Sequence, residues 1–180
     1  NVKKIKIPSG EISNLPFIWK IAKKDKPIIM STGMSDLSEI ENAVATIFHS
    51  QNNDKEPSSM DEILEICKKE ISYTLNSNLS LLHCTSQYPA PLDELNLNCI
   101  EMLSEKFGLN VGYSDHSDGI EVSLAAVAKG AKIIEKHFTL DKNLQGPDHK
   151  ASLEPKELKN MIDGIRKIER ALGNNIKRVQ

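Results

Sequence analysis

The chain has no apolar run near the roughly 20 residues that a membrane helix requires. Its first residues, NVKKIKIPSG, have neither a long apolar stretch nor a small-residue cleavage site, so no signal peptide is expected. A formal net charge of −2 leaves no excess of basic residues to hold a nucleic acid. The chain has no phosphate-binding P-loop, no G-x-G-x-x-G, no G-x-S-x-G and no H-E-x-x-H. It also has no C-x-x-C pair. Its three cysteines, Cys67, Cys84 and Cys99, are read as free thiols in a reducing, cytoplasmic setting.

What remains is a globular composition, 39% hydrophobic and 27% charged. The 180 residues are enough for one domain with a core but short of the about 250 typical of a complete (β/α)₈ barrel. Short apolar runs alternate with amphipathic stretches. Strands are expected at Ile5–Pro8, Pro27–Ser31, Leu79–Cys84, Val111–Ser114 and Ile133–Phe138. Helices are expected at Leu15–Lys24, from Asp36 onward, at Met60–Ser72, Asn96–Phe107 and Ile120–Lys129, and from Pro155 to Gly173. Asp36 with Glu39 forms a capping-box pattern, Gly108 suits a C-terminal cap, and Pro155 suits a first turn. The last helix carries an apolar stripe of Leu158, Met161, Ile162, Ile165, Ile168 and Leu172. Gln51–Ser59 is polar, contains Pro57 and reads as a loop.

Five βα units in succession imply parallel strands with right-handed crossovers. Both a doubly wound sheet and a (β/α) barrel satisfy that order. Every expected strand, however, ends in polar or turn-forming residues, and a barrel gathers its chemistry at those ends. The reading is therefore α/β, a (β/α) barrel of the TIM type of which five βα units are present.

The strand ends supply the candidate chemistry. His116 and His137 end consecutive strands, where two imidazoles either converge on one divalent ion or act as ordinary hydrogen-bonded side chains. Glu135 lies two residues before His137 and so faces the same side, as an orienting carboxylate, a ligand, a sugar contact or an ion-pair partner. Lys6 alternates with Ile5 and Ile7, pointing inward to meet an anion or snorkelling outward. Ser9, Ser31, Ser86 and Ser114 place hydroxyls at strand ends, where turn amides commonly bind phosphate. Asp148 and His149 follow Pro147 in a turn that reaches the pocket mouth or stays solvated.

KIPSGE, PIIMSTGM, LLHCTSQYPAP, VGYSDHSDGIEVSLAAVAKGAKIIEKHFTLD and GPDHKASLEP, in that order, resemble the N-acetylneuraminate (sialic acid) synthases and their bacterial relatives, including legionaminic acid synthases. The resemblance covers nearly the whole chain, and the last three motifs together are highly specific. It implies a (β/α)₈ barrel transferase of nonulosonic acid biosynthesis. Phosphoenolpyruvate would condense with an N-acetylated hexosamine, either N-acetylmannosamine or a 2,4-diacetamido-6-deoxy sugar, with water entering and phosphate leaving. By matching motifs, His116 and His137 would hold a divalent metal, manganese or magnesium. Lys6, Ser9, Ser31, Ser86 and Ser114 would hold phosphoenolpyruvate. Glu11, Tyr88, Glu135 and Asp148 would contact the sugar, with Glu135 and Glu11 in catalytic roles. Family members often carry Asn where this chain has Ser86. GPDHKASLEP favours the neuraminate and legionaminate branches over the pseudaminate branch.

The resemblance also implies three further barrel strands before the one holding Lys6. Residues 1–173 would then be the C-terminal part of the barrel. Residues 174–180 would begin a linker to an antifreeze-like (SAF) domain that completes the partner's site in a homodimer. Five such strands alone expose two sheet edges, so the 180 residues by themselves are expected to be inactive and poorly stable. Two other readings remain: a synthase acting on a phosphorylated sugar, and a truncated remnant or binding module that keeps the pocket without turnover.

Overall fold

Each apolar run becomes a strand, and all the strands pair in chain order. The computed structural model describes residues 2–68, 78–174 and 176–177. The strands are β1 (Ile5–Ile7), β2 (Ile28–Ser31), β3 (Leu79–Cys84), β4 (Asn110–Asp115) and β5 (Ile134–Lys136). They form one parallel sheet in the order β1-β2-β3-β4-β5. The helices are α1 (Leu15–Ala22), α2 (Leu37–Asn52), α3 (Met60–Cys67), α4 (Asn98–Phe107), α5 (Glu121–Ala128) and α6 (Pro155–Leu172).

Two-residue alternation divides the strands into two faces. Ile7, Ile28, Met30, Leu79, Leu81, Val111 and Tyr113 turn toward the helices and share one core with Trp19, Ile40, Val44, Ile47, Ile100 and Phe107. The opposite face carries Lys6, Ser31, Leu82, Ser114 and Glu135. Four strand spacings of about 4.8 Å would hold β1 and β5 roughly 19 Å apart in a flat sheet. Yet Lys6 Nζ lies 3.4 Å from Glu135 Oε1. Even with two long side chains, that contact requires the sheet to curl around its polar face. The fold is a curled half-barrel, which bears out the barrel reading over the doubly wound one.

Helix ends follow local chemistry. Asp36 accepts from the Glu39 backbone N–H at 2.9 Å, and Glu39 accepts from the Asp36 N–H at 3.0 Å, completing the capping box. Asp36 is exposed, so Asp36→Ala removes the cap without touching the core. It is expected to cost about 1 kcal/mol in urea unfolding; an unchanged midpoint would contradict the cap's role. Gly108 ends α4 at φ 62°, the left-handed conformation that favours glycine.

Three expectations need correction. α2 runs on to Asn52, past the expected start of the loop, because the Asn52 and Asn53 side chains donate to the Phe48 and His49 carbonyls and close its last turn. Helix α3 stops at Cys67, and the rest of the expected helix, 69–72, lies outside the described residues. The α6 stripe is only partly covered. Met161 is buried, while Ile162 and Leu172 are 44% and 55% exposed, since α6 packs chiefly on α5. Asn174, Ile176 and Lys177 have no regular structure. Among the described residues no helix is long and apolar enough to cross a membrane, and Cys67, Cys84 and Cys99 are free thiols.

Candidate active site

Parallel strands present their C-terminal ends together, and the curl turns those ends toward one centre. Six expected site residues meet there. Glu135 sits beside Ser114 in the strand register, and the Ser114 hydroxyl donates to Glu135 Oε1 at 2.7 Å. Lys6 approaches the same carboxylate oxygen from β1. Tyr88, on the loop after β3, stacks on His116 with ring centroids 4.0 Å apart. His137 meets both rings edge-on, at 5.4 Å from Tyr88 and 5.7 Å from His116. Tyr88, Ser114, His116, Glu135, His137 and the edge of Lys136 line a cavity of about 280 Å³.

The hydrogen bonds settle the His116 tautomer. Its Nδ1 lies 2.8 Å from the Thr85 carbonyl oxygen. A carbonyl only accepts, so Nδ1 carries the proton and Nε2 offers a lone pair. Ser114 has committed its one hydroxyl proton to Glu135. The donor to Nε2 is therefore Tyr88, whose hydroxyl lies 2.9 Å away. Burial pushes the His116 pKa below that of ordinary histidine, against an opposing pull from the Thr85 carbonyl. His116 is thus neutral near pH 7, with a basic nitrogen facing the cavity. Burial likewise raises the Tyr88 hydroxyl, which stays protonated as a donor.

This arrangement has the chemistry of half a metal site. A metal-binding imidazole typically donates its other N–H to a carbonyl or carboxylate, as His116 does to Thr85. His137 supplies a second imidazole. Among the described residues no group of three or more His, Cys, Asp or Glu is arranged to hold an ion. The fit to an ion thus rests on two imidazoles, His116 and His137, whose ring centroids lie 5.7 Å apart.

The remaining expected residues lie at varying distances from this centre. Ser31 is 4% exposed on the inner face, and its hydroxyl makes no hydrogen bond of ordinary geometry. Ser86 spends its hydroxyl on the Gly33 carbonyl, 2.9 Å away, tying together the loops after β2 and β3. Ser9 opens the 3₁₀ turn Ser9–Glu11 beyond β1. Glu11 in the same turn accepts from Asn14 Nδ2 at 2.9 Å, so it is directed to the start of α1. Asp148 lines a neighbouring cavity of about 370 Å³ that shares Tyr88, His116 and His137 and adds Asp118 and Lys150. His149 turns away, with Nδ1 2.7 Å from Thr139 Oγ1.

His83, on an expected polar strand end, faces the helices instead. Its Nε2 lies 2.7 Å from the Leu95 carbonyl oxygen, and burial lowers its pKa. Sequence reading also passed over Thr85, which acts through its backbone carbonyl and so leaves no side-chain signal. It passed over the buried pair Asp115–Lys136 as well. The available sign was two opposite charges, each one residue before a histidine, on the face expected to be apolar.

The chain is similar in sequence and fold to known proteins. N,N'-Diacetyllegionaminic acid synthase from Campylobacter jejuni is 51% identical over 177 residues, covering 98% of this chain and 46% of that protein. The synthase of the same name from Legionella pneumophila is 45% identical over 177 residues, covering 98% and 44%. This chain thus spans less than half the length of these relatives. The crystal structure of N-acetylneuraminic acid (sialic acid) synthetase from Leptospira borgpetersenii in complex with citrate superposes with a TM-score of 0.82 at 36% identity, covering 100% of this chain and 54% of that one. The NeuB family model matches residues 1–177, and the chain belongs to the NeuB family.

Proposed function

We propose that this chain forms the greater part of the active site of a nonulosonic acid synthase, condensing phosphoenolpyruvate with an N-acetylated amino sugar. The observation that carries the reading is the connected set Lys6, Glu135, Ser114, His116, Tyr88 and His137. It joins a cation suited to an anionic substrate, a carboxylate suited to proton transfer and two imidazoles in one connected set.

In the proposed reaction, C3 of phosphoenolpyruvate bonds to the aldehyde carbon of the open-chain sugar, whose oxygen gains a proton. Water bonds to C2 and loses a proton. The C2 hydroxyl so formed then becomes the carbonyl, giving its remaining proton to the phosphate, as the C2–O bond to phosphate breaks and its electron pair leaves with the phosphate. Lys6, with Ser31 and Ser114, holds the phosphate and carboxylate of phosphoenolpyruvate; Ser9 and Ser86 sit on the turns around them. The Lys6 and Glu135 side chains are 34% and 43% exposed, so their pairing is worth no more than about 1 kcal/mol. An incoming dianion displaces it readily. That frees Glu135 to bind a sugar hydroxyl and to carry a proton between water and the aldehyde oxygen. Tyr88 and Asp148, which line the two adjoining cavities, are assigned to the sugar, whereas Glu11 is held at the start of α1 by Asn14. A divalent cation, Mn²⁺ or Mg²⁺, bound by His116 and His137 would supply Lewis-acid polarisation of the aldehyde oxygen.

The neighbouring cavity sets Asp118 and Asp148 against one lysine, Lys150, which disfavours a phosphorylated sugar there. The high identity to two diacetyllegionaminic acid synthases supports a 2,4-diacetamido sugar over N-acetylmannosamine.

The test is phosphate release, with phosphoenolpyruvate and manganese, by this chain together with the three preceding barrel strands that the resemblance implies. It would be run with 2,4-diacetamido-2,4,6-trideoxymannose, N-acetylmannosamine and N-acetylmannosamine 6-phosphate. The first is expected to give the highest kcat/KM. Lys6→Ala is expected to raise the KM for phosphoenolpyruvate on the order of 100-fold, a loss of about 2.7 kcal/mol for a charge-assisted contact. Phosphate release without sugar dependence would overturn the reading.

A further inference from the structure

We propose that the buried ion pair Asp115–Lys136 is a positioning clamp that sets the direction and spacing of the His116 and His137 imidazoles. The inference rests on reading those two residues as the cation ligands. It concerns the opposite, helix-facing side of the same two strands.

Asp115 and Lys136 are register partners on β4 and β5. Alternation sends them outward while Ser114, His116, Glu135 and His137 point inward. Their side chains are 0% and 3% exposed, and Lys136 Nζ lies 3.1 Å from Asp115 Oδ2. The carboxylate is saturated. Oδ1 accepts from the Ser117 N–H at 2.9 Å and from Ser117 Oγ at 2.6 Å, and Oδ2 accepts from Ser123 Oγ on α5. Lys136 also donates to the Ser117 carbonyl. The residues just before and just after His116, and the residue just before His137, thus belong to one network. The turn after β4 cannot tilt without breaking bonds to β5 and α5.

Stability alone does not explain this choice. Well-packed apolar residues of similar volume often match or exceed a buried ion pair in stabilising a core. What the pair adds is direction. Each of its bonds fixes an angle, and the histidines on either side inherit that angle. In this role Asp115 and Lys136, whose side chains are 0% and 3% exposed, act through the histidines.

The experiment uses the full chain and manganese(II) alone as probe. The test variant, Asp115→Asn with Lys136→Met, removes both charges while keeping an acceptor for Ser117. Ser123→Ala removes the link to α5 and serves if the double variant does not fold. Folding is checked by circular dichroism. Manganese affinity is then read by calorimetry, and the His116 Nδ1–H by imidazole ¹⁵N–¹H spectra without metal. The double variant is expected to keep its thermal midpoint within a few degrees of the parent. It is expected to bind manganese on the order of 10-fold or more weakly, as when groups that orient a metal's ligands are lost. The His116 Nδ1–H, held by Thr85 in the parent, is expected to exchange with solvent. Ser123→Ala is expected to shift both readouts the same way by about threefold.

Folded variants with unchanged manganese affinity and an unchanged His116 signal would overturn the clamp. A parent that binds no manganese, while the variants still release the His116 proton, would overturn the metal assignment and leave the clamp standing.

Discussion

His116→Ala and His137→Ala are each expected to abolish tight manganese binding and, in the protein that also carries the three preceding barrel strands, to lower kcat by about 10³-fold. That factor corresponds to about 4 kcal/mol of lost transition-state stabilisation. Among the described residues His116 and His137 are the two imidazoles brought to this cavity. Loss of either ring therefore leaves a single imidazole, which holds a divalent ion weakly. The two variants should be nearly equivalent, and the double variant hardly worse than either, because the rings act as one unit. Tyr88→Phe provides a contrast. It removes the hydroxyl that donates to His116 Nε2 but leaves both imidazoles, so manganese affinity should hold or rise. Acid should act like the alanine variants, since a ligand must be unprotonated to bind. Burial holds His116 below the ordinary imidazole value. Affinity at this ligand should therefore persist through neutrality and fall only once the pH drops below that value. Calorimetry on the three variants across pH checks each point; tight binding by either alanine variant would remove the two-imidazole site.

Gly112→Ala is expected to cost about 3 kcal/mol or more, a drop in thermal midpoint on the order of 10 °C. A Cβ at Gly112 would lie 2.4 Å from the Ile133 carbonyl oxygen, 2.6 Å from Leu82 Cδ2 and 2.7 Å from Ile133 Cβ. Leu82 has a flexible tip and can yield. The Ile133 carbonyl cannot, because it accepts from the Tyr113 N–H at 2.8 Å in the pairing of β4 with β5. Relief requires the two strands to part beside Ser114 and Glu135, so activity should fall with stability. Gly10→Ala is the control. A Cβ there meets nothing within 4 Å, and its stability should stay within about 0.5 kcal/mol of the parent. Thermal denaturation of both variants decides the matter; a Gly112→Ala midpoint like that of the control would mean the strands tolerate the extra atom.

The parts of this protein that were legible in its sequence are those governed by near neighbours. Asp36 and Glu39 cap α2 because the two residues stand one helical turn apart. Gly108 ends α4 because its conformation is a property of one residue. The same holds for Glu135 and His137 sharing one strand face, which alternation dictates, whereas for Lys6 alternation left both an inward and a snorkelling position open. Ordered motifs carried the family. Less legible were the roles set by contacts across the chain. Glu11 falls in a motif and yet turns to Asn14. His83 ends a polar-looking strand and yet lies against Leu95. Ser86 spends its hydroxyl on Gly33.

By itself, then, the sequence determined the βα order, the parallel strands, the helix caps and the set of polar strand ends. Each depends on interactions within a few residues or on the period of apolar positions. Only the tertiary structure decided that the sheet curls enough for Lys6 to reach Glu135. The same is true of the Thr85 carbonyl choosing the His116 tautomer, and of Asp115 meeting Lys136 behind the histidines. Those outcomes depend on distances between residues far apart in the chain, and such distances exist only once the strands are paired and the core has closed around them.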